Sequence, residues 1–150
     1  KFDKKSPSVY SSDEIDFVEN AGKLIEPETK VINIPFDGSC FAYDIQNLNI
    51  YYRDPHVSGA KNTSETEHSW LYRKQLSNYL NCQQVKDALK NDQIQYVLML
   101  DDGDSKDEPE RFFIGYNEND WSGITSINEN TPGFSLVLAK DDMKLYRIDF

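Results

Sequence analysis

Three residues that could do chemistry stand together at an elbow of the chain, in the stretch IPFDGSCFAY at residues 34–43. Asp37, Gly38 and Ser39 follow a short apolar run and precede a predicted helix. The first turn of a helix presents unpaired backbone N–H groups, and glycine lets a ligand approach the backbone closely. The elbow could therefore bind a phosphate or a carboxylate. Asp37 could instead accept hydrogen bonds from those N–H groups as a cap, and its charge would oppose an anion, so capping is the favoured interpretation.

Carboxylates elsewhere could turn the elbow into a metal site. Asp101 and Asp102 follow an apolar run and, with Asp37, could supply the oxygen ligands that Mg²⁺ or Ca²⁺ prefers. Such a site would support metal-assisted hydrolysis. However, the acids after residue 100 do not match the calcium-loop pattern, and an acidic run with Gly, Ser and Pro is usually a solvated loop. A divalent-metal-dependent hydrolase is therefore only the alternative, and no cofactor is predicted.

Nucleophilic catalysis is disfavoured at the same elbow. Ser39 follows a strand, but Gly38 precedes it directly, so the G-x-S-x-G pattern is missing. The base would have to be His56, in a predicted loop, or His68, near the start of a predicted helix. Neither position is a typical support for a catalytic triad.

Hydrophobic periodicity and turn residues predict the elements that would position these side chains. Strands separated by helices favour right-handed crossovers and a parallel sheet. We therefore predict an α/β fold with three αβα layers, a mixed but mostly parallel Rossmann-like sheet and a C-terminal β-hairpin. Residues 1–10 would be a tether and 11–150 a single domain. Two predicted helices begin at capping boxes, at Ser11 and at Ser64. Three shorter helical segments are predicted at 39–47, 85–89 and 121–127. The predicted strands are 31–34, 48–52, 96–100, 111–116, 134–138 and 143–148.

Ligands of such sheets bind beyond the carboxyl ends of the parallel strands. The loops 35–39, 53–63 and 101–110 would meet there. A binding role also requires exposed aromatic faces, so the hypothesis would fail if Tyr43 and Tyr52 were buried. The candidate ligand-binding residues are Asp37, Gly38, Ser39, Tyr43, Arg53 and His56.

Composition disfavours some classes of partner. The formal net charge is −10, from 26 acidic against 16 basic residues, which disfavours nucleic acid and anionic lipid surfaces. No apolar window approaches the length of a membrane span, and the polar first residues do not look like a signal peptide. Cys40 and Cys82 are the only cysteines, and two thiols are favoured over a disulfide.

Three longer segments carry a family resemblance: KVINIPFDGSCFAYDIQNLNIYYRD, QVKDALKNDQIQYVLMLD and GFSLVLAKDDMKLYRIDF. They contain an Asp-Gly-Ser after a strand, a Tyr four residues beyond the Ser, a "YV-L-L" strand and a closing "F-LV…LY-I". In these features the chain resembles the C-terminal region of the DUF6541 type of bacterial multi-pass membrane proteins, over roughly residues 11–150. The resemblance implies a soluble domain outside the cytoplasmic membrane, following a membrane part similar to glycosyltransferases that use lipid-linked sugars.

The leading hypothesis is therefore a non-catalytic extracytoplasmic domain that binds or positions a glycan or acceptor for a cell-envelope glycosyltransferase. In such enzymes the catalytic carboxylate belongs to the membrane part, so the resemblance assigns no catalytic residue here. The implied partners are the protein's own membrane-embedded region and a glycan or sugar phosphate. A third hypothesis is a purely structural domain that packs on membrane helices, which predicts an unusually large exposed apolar patch.

Overall fold

The computed structural model describes residues 12–37, 39–53, 66–100 and 118–150. Several sequence predictions lie outside these ranges: the tether 1–10, the Ser11 cap and the strand 111–116, together with Gly38, His56, Asp101 and Asp102. No described helix is long and apolar enough to cross a membrane.

The described ranges contain five α-helices and four β-strands, joined in places by short 3-10 turns. The helices are α1 (Ser12–Gly22), α2 (Ala42–Gln46), α3 (Glu67–Gln75), α4 (Gln83–Asn91) and α5 (Ser122–Thr125). The strands are β1 (Lys30–Asn33), β2 (Ile94–Met99), β3 (Phe134–Lys140) and β4 (Met143–Ile148). The 3-10 turns are Pro35–Asp37, Ser39–Phe41, Leu76–Asn81 and Glu118–Trp121.

The sheet has the strand order β1-β2-β4-β3. β1 and β2 are parallel, whereas β4 is antiparallel to both β2 and β3. On the outer side of β1, Val31 and Ile50 form an isolated parallel bridge. The Val31 N–H donates to the Asn49 carbonyl and the Tyr51 N–H donates to the Val31 carbonyl, each at 2.9 Å.

The α/β class, the mixed sheet and the C-terminal hairpin are confirmed, but the mostly parallel, Rossmann-like three-layer prediction is not supported. Among the described strands, β1–β2 is the single parallel pairing of three. The reason is that the hairpin strand β4 pairs directly with β2, which places antiparallel pairing at the centre of the sheet. The predicted strand 48–52 is reduced to the bridge at Ile50, because the Tyr52 backbone bonds to the Asn33 side chain instead.

Successive strand residues point to opposite faces of the sheet, and each face carries its own apolar cluster. Val31 and Leu98 pack with α1 and α2, whereas Ile32 and Val97 pack with α3, α4 and α5. Burial of each large apolar side chain contributes about 1.5–3 kcal/mol. The helix side chains of the first cluster include Phe17, Val18, Ala21 and Ala42, and those of the second include Tyr72, Val85, Leu89 and Ile124.

Helix α3 begins at Glu67, and its N-cap lies two residues after the predicted N-cap, Ser64. Thr66 is the N-cap, because its hydroxyl accepts a hydrogen bond of 3.2 Å from the Ser69 N–H. The prediction of Ser64 and Glu67 as the capping pair is therefore wrong. Ser and Thr are both good N-caps, so sequence alone could not choose between them.

Candidate functional site

The Asp37 carboxylate lies inside the elbow and is fully engaged with backbone N–H groups. Its Oδ1 accepts from the Ser39 N–H at 2.9 Å, and its Oδ2 accepts from the Leu100 N–H at 2.9 Å. Asp37 therefore caps the 3-10 turn that begins at Ser39, as the favoured interpretation held. The second bond was not foreseen, and it ties the elbow to the residue that follows β2.

Burial controls the chemistry of this carboxyl group. The side chain of Asp37 is 6% exposed, and burial raises its pKa from 3.8 to about 7. Hydrogen bonds from Ser39 and Leu100 lower the pKa of Asp37, whereas the nearby Glu14 raises it. With one N–H of the elbow already bonded to an acidic group, the position favours a structural connection over anion binding.

A second polar network surrounds Asn33, a residue that sequence reasoning missed. The Asn33 amide donates to the Ser39 Oγ and to the Tyr52 carbonyl, each at 2.9 Å, while its Oδ1 accepts from the Tyr52 N–H at 2.9 Å. Ser39 Oγ in turn donates to the Ile34 carbonyl at 3.0 Å. The one available signal was a polar residue inside the apolar run of β1. Ser39 is therefore a structural hydroxyl, fully buried in this network.

Tyr43 and Arg53 form the solvent-facing part of the predicted crevice. Tyr43 is 37% exposed, and the Arg53 guanidinium carbon lies 3.7 Å from its ring centroid. Arg53 Nε donates to the Ile50 carbonyl and its Nη2 donates to Asn49 Oδ1, each at 3.2 Å. These bonds orient the guanidinium over the ring and form a small cation–π surface. Tyr52, by contrast, is 4% exposed, so half of the expected aromatic surface is buried core.

The predicted site thus separates into two parts. Asp37 and Ser39 are buried and structural, Tyr43 and Arg53 face solvent together, and Gly38 and His56 lie outside the described residues. Asp101 and Asp102 of the metal hypothesis also lie outside them. Within the described ranges, no group of three or more His, Cys, Asp or Glu residues could hold a metal ion. Both cysteines are thiols, with Cys40 buried and Cys82 half-buried.

Sequence reasoning did not foresee an open cleft between α3 and α4. Its volume is about 730 Å³. A smaller cleft of about 440 Å³ lies between α1 and the end of α2. Neither cleft is lined by Tyr43 or Arg53. The lining residues of the α3–α4 cleft are Glu67, His68, Trp70, Leu71, Gln84, Asp87, Ala88 and Asn91.

One carboxylate behind this cleft holds two of its lining side chains. Asp92 Oδ2 lies 2.9 Å from His68 Nδ1 and accepts from the Tyr72 hydroxyl at 2.6 Å, and its Oδ1 accepts from the Asn91 amide at 3.2 Å. Burial alone would raise the pKa of Asp92. The hydrogen bonds from Tyr72 and His68 outweigh this effect and hold the pKa below its usual value, so the group is ionised. Sequence reasoning had no signal for this pairing, because Asp92 lies 24 residues from His68 in the chain.

Comparison with known proteins agrees with this fold. The structure is similar to the C-terminal globular domain of an oligosaccharyltransferase from Archaeoglobus fulgidus, with a TM-score of 0.57 at 8% identity. The match covers 93% of this chain and 98% of that one, and at this identity it shows a shared fold. No curated protein matches the chain in sequence. The family model that matches residues 1–150 is that of DUF6541, a family of unknown function, and the chain belongs to this family.

Proposed function

We propose that the chain is a non-catalytic, extracytoplasmic domain of a membrane-anchored protein that takes part in glycan transfer in the cell envelope. The observation that carries the proposal is the shared fold with an oligosaccharyltransferase C-terminal globular domain over nearly the full length of both chains. Membership of DUF6541 supports the same context through the resemblance to multi-pass membrane proteins.

The arrangement of the elbow supports a non-catalytic role. The two residues there that could act in catalysis, Asp37 and Ser39, are buried and hydrogen-bonded to backbone groups. Both Asp37 oxygens accept N–H bonds, which argues against their use as metal ligands in the hydrolase alternative. The exposed Tyr43–Arg53 pair is instead suited to contact a glycan or an acceptor, with an aromatic ring beside a cation and hydrogen-bond donors.

The location is tested with reporter fusions after Phe150 of the full membrane-anchored protein. Alkaline phosphatase is active only outside the cytoplasm, and green fluorescent protein exported by the Sec pathway does not fluoresce there. We expect a phosphatase-positive, fluorescence-negative pattern. The opposite pattern would overturn the extracytoplasmic assignment.

The Tyr43–Arg53 surface is tested by thermal shift with sugar phosphates, since a ligand that binds only the folded state raises Tm. We expect a rise in Tm that is lost in Tyr43→Ala and Arg53→Ala. Arg147→Ala is the matched control, because Arg147 is also an exposed arginine, with 56% of its side chain accessible. A rise that survives both site variants would remove this surface from the proposal.

A second candidate, docking onto the protein's own membrane region, is favoured by one observation. Phe41 and Tyr43 lie close together in sequence at the elbow, and both are exposed, at 39% and 37%. Exposed aromatic side chains beside polar ones are common at protein interfaces. If docking is the role, Phe41→Ser should release the domain from photocrosslinks to the membrane region while leaving its Tm nearly unchanged.

A further inference from the structure

We propose that the α3–α4 cleft binds an uncharged carbohydrate. This inference rests on the proposed function, since it takes a role in glycan transfer as given and names the class of glycan. It assigns that glycan to a surface other than the Tyr43–Arg53 pair.

The lining combines an aromatic ring with planar polar side chains. Trp70 and Leu71 contribute apolar surface from α3, and Gln84 and Asn91 contribute side-chain amides from α4. An amide both donates and accepts, and so does a sugar hydroxyl, so the two match in a way that a bare cation would not. The C–H face of a sugar ring is apolar and suits an indole. At about 730 Å³ the cleft falls in the size range of small-molecule sites.

The ring of Trp70 is in contact with two cationic side chains of its own helix. The Arg73 guanidinium carbon lies 5.0 Å from the Trp70 ring centroid, and the Lys74 ammonium lies 5.3 Å from it. Arg73 is fully buried, so it contacts the indole from the protein interior. Lys74 is bonded to the Asn119 carbonyl at 3.0 Å. These contacts restrict the ring before any ligand arrives, which lowers the entropic cost of binding.

The side chains of His68 and Asn91 are both oriented by hydrogen bonds to Asp92. An ionised Asp92 accepts from His68 Nδ1, which orients the imidazole and leaves its Nε2 outside this hydrogen bond. The other Asp92 oxygen accepts from the Asn91 amide. The Tyr72 hydroxyl of α3 donates to Asp92 Oδ2 at 2.6 Å and so fixes the position of the carboxylate. A single partly buried carboxylate thus orients a lining side chain from each of the two helices, as in preorganised polar sites.

Charge decides which carbohydrate fits. The described lining includes the carboxylates of Glu67 and Asp87 and no lysine or arginine. Phosphates and acidic sugars would be repelled, whereas neutral hydroxyls can donate to the carboxylates. A basic peptide is the competing ligand class, but the Trp70 ring and the neutral amides of Gln84 and Asn91 match a carbohydrate better than a cation.

The test is an NMR titration of the ¹⁵N-labelled 150-residue chain with the methyl glycosides of glucose, galactose, mannose and N-acetylglucosamine. Glucose 1-phosphate and trilysine are titrated separately. We expect at least one neutral glycoside to shift the Trp70 indole signal and the amides of 67–71 and 84–91. Gln84→Ala and Asp87→Ala should each weaken this binding by about fivefold or more, the equivalent of one lost hydrogen bond of about 1 kcal/mol.

Lys90→Ala is the control, because Lys90 is exposed on the same helix and does not line the cleft. All three variants alter exposed residues of α4, so they test binding without a large change in stability. Affinity within twofold of the unaltered chain is expected for Lys90→Ala.

Three results would overturn the assignment. Glycoside shifts confined to the surroundings of Tyr43 and Arg53 would remove the cleft but leave the proposed function intact. A response to trilysine alone would identify a site for cations. The absence of any shift with all four glycosides would also reject the cleft, while the reporter fusions would judge the proposed function separately.

Discussion

The Asp37 carboxylate accepts a hydrogen bond of 2.9 Å from the N–H of Leu100, a residue 63 positions further along the chain. Through its other oxygen it accepts from the Ser39 N–H. One buried side chain therefore joins the elbow after β1 to the end of β2. The carboxyl ends of the two parallel strands are held together by this connection.

Asp37→Ala should destabilise the fold strongly. Two backbone N–H groups would lose their partner in a buried position, at about 1–3 kcal/mol each, so we expect a total loss of about 2–6 kcal/mol in the free energy of unfolding. Urea denaturation measures this loss. Asp44→Ala is the matched control, because Asp44 is an exposed aspartate of the neighbouring helix α2. Equal stability of the two variants would contradict the structural role of Asp37.

The same carboxyl group should make stability depend on pH. The pKa of Asp37 is raised from 3.8 to about 7, so between these values the folded state binds a proton that the unfolded state has released. Stability from this group is therefore fully present below about pH 4 and falls as the pH rises towards 7. At about 1.4 kcal/mol per unit, the fall is on the order of 4 kcal/mol.

Asp37→Asn isolates this effect, because it removes the titration and keeps the size of the side chain. The free energy of unfolding of the unaltered chain, minus that of the variant, should decrease from pH 4 to pH 8. Urea denaturation at several pH values gives both numbers. A difference that stays constant over this range would show that the pKa of Asp37 is not raised.

Asn33→Ala should also destabilise the fold. The Asn33 side chain makes hydrogen bonds to Ser39 Oγ and to both backbone groups of Tyr52. Removal of these bonds inside the core should cost about 2–4 kcal/mol in the free energy of unfolding. Thermal denaturation of this variant and of Asn130→Ala, at an exposed turn, provides the comparison. Similar Tm values for the two variants would contradict the network.

Gly123→Ala should disturb the contact between α5 and α3. A Cβ atom at Gly123 would lie 2.5 Å from the Lys74 carbonyl carbon, 2.6 Å from the Gln75 nitrogen and 2.7 Å from the Arg73 carbonyl oxygen. These are backbone atoms of α3, so the helices must move apart, and overpacking of this kind typically costs about 1–3 kcal/mol. Ser122→Ala, at the exposed neighbour, should leave the urea midpoint nearly unchanged. An equally unchanged midpoint for Gly123→Ala would contradict the close packing.

Sequence determined the features that depend on neighbours along the chain. The alternating pattern and short turn at 134–148 predicted the hairpin of β3 and β4, and the apolar run ending at Leu100 predicted a buried strand. The position of Asp37 just before a predicted helix start predicted its cap on Ser39. The motifs around these residues also indicated DUF6541. All of these signals are carried by residues within a few positions of one another.

Tertiary structure alone decided which distant segments meet. Nothing local specifies that β4 pairs with β2, because antiparallel and parallel partners offer the same backbone hydrogen-bonding groups. Likewise, the partners of Asn33, Asp37 and His68 lie 19, 63 and 24 residues away in the chain. Side-chain hydrogen bonds across such separations follow from how the elements pack, and they leave no periodic trace in the sequence. For that reason the elbow could be recognised before the structure was known, whereas the cleft between α3 and α4 could not.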